Sequence, residues 1–180
     1  VLQSTIQYEM TVPERRDNEI IVWNANQYEA AQKAIRLSKE LAAFEAKEIT
    51  CLATNMYHEA RGEGVNGQAA VAWVTINRRD ANGFRNTICK VVYQQGRNYE
   101  SKMISQVAWV SEGASGIHEK EVYNMAHAIA KNLYYNYSQL DDPTQGAQYF
   151  LSGGIRPSWV RNFEITLKHG GHVFYRDNRA

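Results

Sequence analysis

Tyr57-His58-Glu59-Ala60-Arg61-Gly62-Glu63, followed by Gly67-Gln68-Ala69-Ala70-Val71-Ala72-Trp73-Val74-Thr75-Ile76-Asn77-Arg78, is the most informative stretch of this 180-residue chain. Upstream of it, Ile49, Leu52 and Met56 recur at helical spacing, and the next step of three falls on Glu59. The spacing predicts a helix over 45–61, stopped by Gly62 as a C-terminal cap, with Glu59 on the buried stripe of its last turn. Burial disfavours an anion, and so does the negative end of the helix dipole. A carboxyl group kept protonated near neutral pH is what a general acid needs. The competing reading is an ordinary glutamate paired with Arg61 or Arg78.

The same stretch argues against a metal. His58-Glu59 begins like H-E-x-x-H, but the second histidine position holds Gly62, so one zinc ligand is missing. Glu63 follows the cap and is expected at the start of a loop, accepting bonds from backbone amides near the next helix. No metal or organic cofactor is implied.

Outward from this segment the chain reads as helices first and strands last. Toward the N-terminus, Asn26 with Glu29 resembles a capping box, and Tyr28, Ala31, Ala34, Ile35, Leu41 and Phe44 follow a 3.6-residue period. A third helix is expected over 67–78 and a fourth over 120–137, where Val122, Met125, Ala126, Ile129 and Leu133 share a face. Residues 148–151 read as a short strand. Segments 165–168 and 173–176 flank His-Gly-Gly-His, a hairpin signal with Gly170–Gly171 at the turn. This is an α+β pattern.

Composition sets the outer limits. Lys and Arg number 20 against 19 Asp and Glu, which is no footprint for a strongly basic nucleic-acid binder and does not forbid a neutral, hydroxyl-rich partner. Residues 1–48 carry six basic and eight acidic side chains, and 49–180 carry fourteen and eleven. Mean hydropathy is −0.52, and no apolar run approaches the about 18–20 residues of a membrane helix. Residues 1–21 have no apolar core with a basic flank of the kind that starts export, which leaves export open. Cys51 and Cys89 are too few for a disulfide framework. One bridge and two buried thiols both fit, with the thiols ahead.

Further segments give the pattern a family look. The two stretches above, then Phe84-Arg85-Asn86-Thr87-Ile88-Cys89-Lys90-Val91-Val92-Tyr93-Gln94, Gln106-Val107-Ala108-Trp109, Asp142-Pro143-Thr144-Gln145-Gly146-Ala147-Gln148-Tyr149-Phe150 and Gly170-Gly171-His172-Val173-Phe174-Tyr175, together resemble the SleB/CwlJ cell-wall hydrolase family. The likeness covers about residues 49–176 in order. It implies a lysozyme-like helical bundle with a small antiparallel C-terminal sheet, similar to lytic transglycosylases and goose-type lysozymes. It divides the chain into an arm and helix of unassigned role (1–48) and a catalytic domain (49–180). Ser111 stands where many relatives have Cys, which closes that route to a bridge with Cys89. Glu112 replaces Asp, and Leu151-Ser152-Gly153-Gly154 replaces the usual Asn-Pro.

What the resemblance implies in function is cleavage of peptidoglycan glycan strands, with Glu59 as acid and base. One well-placed carboxyl group favours a lytic transglycosylase over water-consuming hydrolysis. Glu63, Glu112, Asp141 and Asp142 are the candidates for a second carboxylate. A module that binds or builds the wall without turnover is the reading from another class, and a peptidase or amidase stands last. Substrate contacts are expected from Gln68 (an N-acetyl group), Asn77, Trp109 (stacking on a sugar), Tyr149 (holding Glu59), His172 and Glu63. The expected partner is the glycan strand alone, with no nucleic acid and no membrane insertion, and the protein acts as a monomer. Its working place lies outside the inner membrane, as for a phage lysin or a processed bacterial enzyme.

Overall fold

The computed structural model describes residues 24–97, 103–105, 109, 116–152 and 158–177. By its contacts the chain divides into two compact units, Val1–Glu40 and Leu41–Ala180. Helix α1 is Ala25–Ala60, α2 Gly64–Asp80, α3 Ile88–Val92 and α4 Lys120–Asn136. The strands are β1 Gln95–Arg97, β2 Met103–Ser105, β3 Tyr149–Ser152, β4 Glu164–His169 and β5 His172–Arg176.

The break expected between two N-terminal helices is absent. Residues 25–60 contain neither Gly nor Pro, so nothing interrupts the hydrogen-bond ladder of α1. The capping box lies two residues earlier than expected. The Gln27 amide donates to Asn24 Oδ1 at 2.9 Å, and the Asn24 amide donates to Gln27 Oε1 at 3.0 Å. The stripe read from Tyr28 to Phe44 is helical but not buried: Tyr28, Ile35, Leu41 and Phe44 are all exposed. In this part of α1 the period reports the helix, not a core.

From Ile49 onward α1 turns inward, with Leu52, Ala53 and Met56 fully buried. They meet Ala72, Trp73 and Ile76 of α2, Ile88 and Val92 of α3, and Ala126, Ala130 and Leu133 of α4 in one cluster. A second cluster joins Ala60, Ala70, Val71 and Val74 to Ala147 and Phe174. Helix α2 therefore serves both cores, and residues 70–76 are buried without interruption. The Glu48 carboxylate, itself buried, accepts from the Ile88 amide at 2.5 Å and the Cys89 amide at 3.2 Å.

Cys51 and Cys89 form a disulfide, contrary to the favoured thiol reading. The last turns of α1 bring Cys51 against α3, with a Cα–Cα distance of 5.2 Å. Gly62 does not take the left-handed conformation expected of a cap. Helix α1 ends at Ala60, and Gly64, at φ +68°, makes the turn into α2.

The C-terminal sheet has the order β3-β5-β4, antiparallel throughout. The expected hairpin is β4–β5, with His169 opposite His172 and Gly170 at φ +53°. The β1–β2 pair, Gln95 opposite Ser105, was not anticipated from the sequence. With its helices and small antiparallel sheet, the fold is α+β.

Candidate functional site

Glu59 sits in the last turn of α1, where the buried stripe comes to the surface. Met56, one turn earlier, is fully enclosed, whereas Glu59 is half-buried. Arg78, in the last turn of α2, interacts with it electrostatically. The Arg78 guanidinium lies 5.4 Å from the centroid of the Tyr149 ring and 5.7 Å from that of Phe84. Its Nε donates to the Gln148 carbonyl at 2.5 Å. Burial pulls the Arg78 pKa below its ordinary value, and the nearby Tyr149 and Glu59 push it up. An arginine remains cationic even so, so Glu59 and Arg78 form an attractive pair of charges.

Arg78 also lines a cavity of about 430 Å³, together with Phe84, Gln94, Tyr149, Phe150, Leu151 and Phe163. Tyr149 packs on Phe163 at 4.8 Å between ring centroids and on Phe84 at 6.0 Å. The wall is aromatic with a few polar groups, a lining that suits the apolar faces and hydroxyl edges of sugars.

The other polar residues of the 57–63 motif have structural partners. The Tyr57 hydroxyl accepts from the His118 and Glu119 amides at 3.2 and 3.1 Å, just ahead of α4. His58 stacks on Trp109, centroids 4.4 Å apart, and burial, Arg61 and His118 lower its pKa. Arg61 meets Glu119 at 3.5 Å. Glu63 makes no cap at the start of α2. Its carboxylate instead accepts from the Gly171 amide at 3.0 Å and lies 3.8 Å from His172 Nδ1, under the β4–β5 turn.

The sequence-based site therefore comes apart in the structure. Tyr149 is on the cavity wall beside Arg78. Gln68, expected to orient an N-acetyl group, is 3% exposed, at the point where α2 passes from the exposed residues 64–66 into its buried stretch. Its carbonyl oxygen makes no hydrogen bond among the described residues. The Asn77 amide nitrogen is spent on a turn: it donates to Asp142 Oδ2 at 2.9 Å, Ala147 O at 3.0 Å and Thr144 Oγ1 at 3.3 Å. Trp109 is no open stacking platform. It is buried against His58, with its Nε1 donating to Asn55 Oδ1 at 3.2 Å. His172 is 4% exposed and packs edge-on to Phe150, and burial lowers its pKa.

The candidate second carboxylates divide similarly. Asp142 accepts from the Thr144 amide and hydroxyl, the Gly146 amide and Asn77. Asp141 is exposed. Glu112 lies outside the described residues. Among those residues no three His, Cys, Asp or Glu side chains gather as a metal site. Sequence reading missed Arg78, Phe84 and Phe163 as a wall. The Asn77-Arg78 pair at the end of an apolar helix was the one available signal for it.

Residues 62–175 match the family described as Cell Wall Hydrolase; Glu59 lies just ahead of the matched range. The spore cortex-lytic enzymes of Bacillus cereus and Bacillus subtilis are 27% and 26% identical over 132 residues. Those alignments take in 73% of this chain but 45% and 38% of the relatives, so the chain spans less than half their length. The solved catalytic domain of the Bacillus cereus SleB protein superposes with a TM-score of 0.54 at 28% identity, covering 72% of this chain and 89% of that one. The catalytic domain of the germination-specific lytic transglycosylase SleB from Bacillus anthracis gives 0.52 at 26% identity, covering 72% and 93%.

Proposed function

Because the chain belongs to the cell wall hydrolase family, we propose that it cleaves peptidoglycan glycan strands between N-acetylmuramic acid and N-acetylglucosamine, as a lytic transglycosylase with Glu59 as its single acid and base. The observation that carries this reading is the placement of Glu59. It is half-buried at a helix end and interacts electrostatically with Arg78, which lines an aromatic cavity. The nearest alternatives, Glu63 and Asp142, are bound into turns.

In this mechanism protonated Glu59 gives its proton to the glycosidic oxygen, the C1–O bond breaks, and positive charge develops at C1. The Glu59 carboxylate then takes the proton of the muramic-acid C6 hydroxyl, and that oxygen closes on C1. The product carries a 1,6-anhydro end, Glu59 is protonated again, and no water is consumed. Arg78 favours the ionised form of Glu59 that exists between the two transfers. Helix dipole and burial favour the neutral acid, and Arg78 is one of the two cationic partners offered by the competing reading of the sequence. Tyr149 and Phe163 offer ring faces to the sugar.

The Cys51–Cys89 bridge supports a working place outside the cytoplasm, where disulfides persist and peptidoglycan lies. Mass spectrometry of fragments released from purified peptidoglycan tests the reading, with wild type beside Glu59→Gln. Anhydromuramic ends, lost in the variant, are the expected result. Reducing ends would transfer the reaction to water, and intact strands with folded wild type would overturn it.

A further inference from the structure

A second concavity, of about 710 Å³, adjoins the cavity beside Arg78 and shares Gln94 with it as a common wall. Its lining comes from three places in the chain: Lys47 on α1, Arg85 and Asn86 before α3, and Lys90, Tyr93 and Gln94 on and after α3. Three cations therefore surround one hollow, and no Asp or Glu lines it. The chain as a whole carries a net charge of only +1, so this is a local concentration. None of the three makes an ion pair among the described residues. Lys90 Nζ reaches only Asn86 Oδ1, at 3.5 Å.

The frame around the hollow is fixed. The Cys51–Cys89 disulfide ties α3 to α1, and Glu48 holds the Ile88 and Cys89 amides. Tyr93 is exposed at the rim, edge-on to buried Trp109. Exposed lysines and arginines are mostly a solvated face. Here they converge on a braced hollow without counter-charge, adjacent to the cavity assigned to the sugar. Such a hollow takes an anionic group carried by whatever occupies its neighbour.

Resting on the function proposed above, we infer that this basic hollow receives the carboxylates of the stem peptides borne by the glycan strand. It would select peptide-bearing strands over bare ones while Glu59 does the chemistry next door. Phosphodiester polymers attached to the wall carry the same charge, and the test separates the two sources.

The test uses Arg85→Glu/Lys90→Glu, two exposed positions outside the candidate catalytic cavity, with wild type as reference. Three substrates are compared: strands with stem peptides and no phosphodiester polymer, the same strands after amidase removal of the peptides, and strands carrying the polymer. The expected result is a tenfold or greater rise in KM on peptide-bearing strands, with kcat unchanged and bare strands cleaved as before. Equal losses on bare and peptide-bearing strands, or no change on either, overturn the inference. So does an effect confined to polymer-bearing strands. A titration without turnover separates this failure from that of the function itself. A soluble disaccharide–peptide with free carboxylates should shift the Asn86 and Tyr93 amide resonances of wild type and leave those of the variant in place. That shift in a protein that cleaves no glycan would sink the transglycosylase reading and keep the hollow; its absence would sink the hollow.

Discussion

Glu59 and Glu63 lie one helical turn apart in sequence, yet they belong to different parts of the molecule. Glu59 ends a buried stripe and interacts electrostatically with Arg78, whose guanidinium lies over the Phe84 and Tyr149 rings and lines an aromatic cavity. Glu63 has left the helix, and its carboxylate is folded under the β4–β5 turn on the Gly171 amide. The first arrangement leaves a carboxyl group half-buried at a helix end, in the field of a cation that lines a cavity. The second uses a carboxyl group as a fastener. Two residues of the same type in the same motif are separated by what faces them, and what faces them comes from Arg78 in one case and Gly170–Gly171 in the other.

The largest effect expected from this contrast is on turnover. Glu59→Gln should lower glycan cleavage by about 10²–10⁴-fold, the usual worth of a positioned general acid, with little change in melting temperature. Glu63→Ala should do the reverse. It should cost about 1–3 kcal/mol of stability by removing the acceptor of a backbone amide, while the folded fraction keeps its kcat. Strand-cleavage kinetics beside thermal melts decide the matter. Equal loss of kcat in both variants, with both folded, would erase the distinction.

How far this was legible in the sequence follows the same line. Helices α2 and α4 and the β4–β5 hairpin could be read because their signals are local: a 3.6 period, a Gly-Gly turn, alternating apolar residues. Glu59 could be singled out because Ile49, Leu52 and Met56 lead to it along one helix. The partners of Glu63 and Asn77 could not, because each hydrogen bond closes between distant segments and leaves no periodic trace. Trp109 and Gln68 fit polar roles by type, but burial is decided by what packs around them. The continuous α1 was missed for the opposite reason. A plausible new start at Glu45 was read into a run that holds no helix breaker.

The next effect is on stability and belongs to the Glu59 side, whose helix is stapled to α3. Replacing both Cys51 and Cys89 by Ser opens a loop spanning 38 residues and should cost about 4 kcal/mol on the chain-entropy estimate. Urea unfolding under oxidising conditions measures it. A loss near zero would mean that Glu48 and the core alone hold α3 in place, and it would remove the bracing from the basic hollow.

A smaller cost is expected on the Glu63 side. Gly170 has φ +53°, and a Cβ built there collides with the Glu63 carboxylate. Gly170→Ala should therefore destabilise by about 1–3 kcal/mol. Part of that cost should vanish in a Glu63→Ala background, since the collision goes with the carboxylate. A double-mutant cycle reads the coupling directly. Strict additivity would show that the turn and Glu63 are independent, and the fastener would be misassigned.

The smallest effect is a dependence on pH. His172, beside Glu63, and His58, beside Glu59, both have pKa values lowered by burial as the first cause. A histidine whose folded pKa lies below its unfolded value of about 6.5 is protonated more readily in the unfolded chain. Its contribution to stability is therefore complete above the unfolded value and is lost as pH falls toward the folded one. Stability should decline on acidification below about pH 6.5, by at most about 1.4 kcal/mol per pH unit for each histidine. The Glu63 carboxylate, 3.8 Å from His172 Nδ1, opposes the effect of burial on that residue while His169 adds to it, and Arg61 and His118 add to it on His58. Unfolding curves between pH 7 and 5 for His58→Gln and His172→Gln test this: the slope should flatten in both. An unchanged slope in either variant would show that its histidine takes no part in the acid sensitivity.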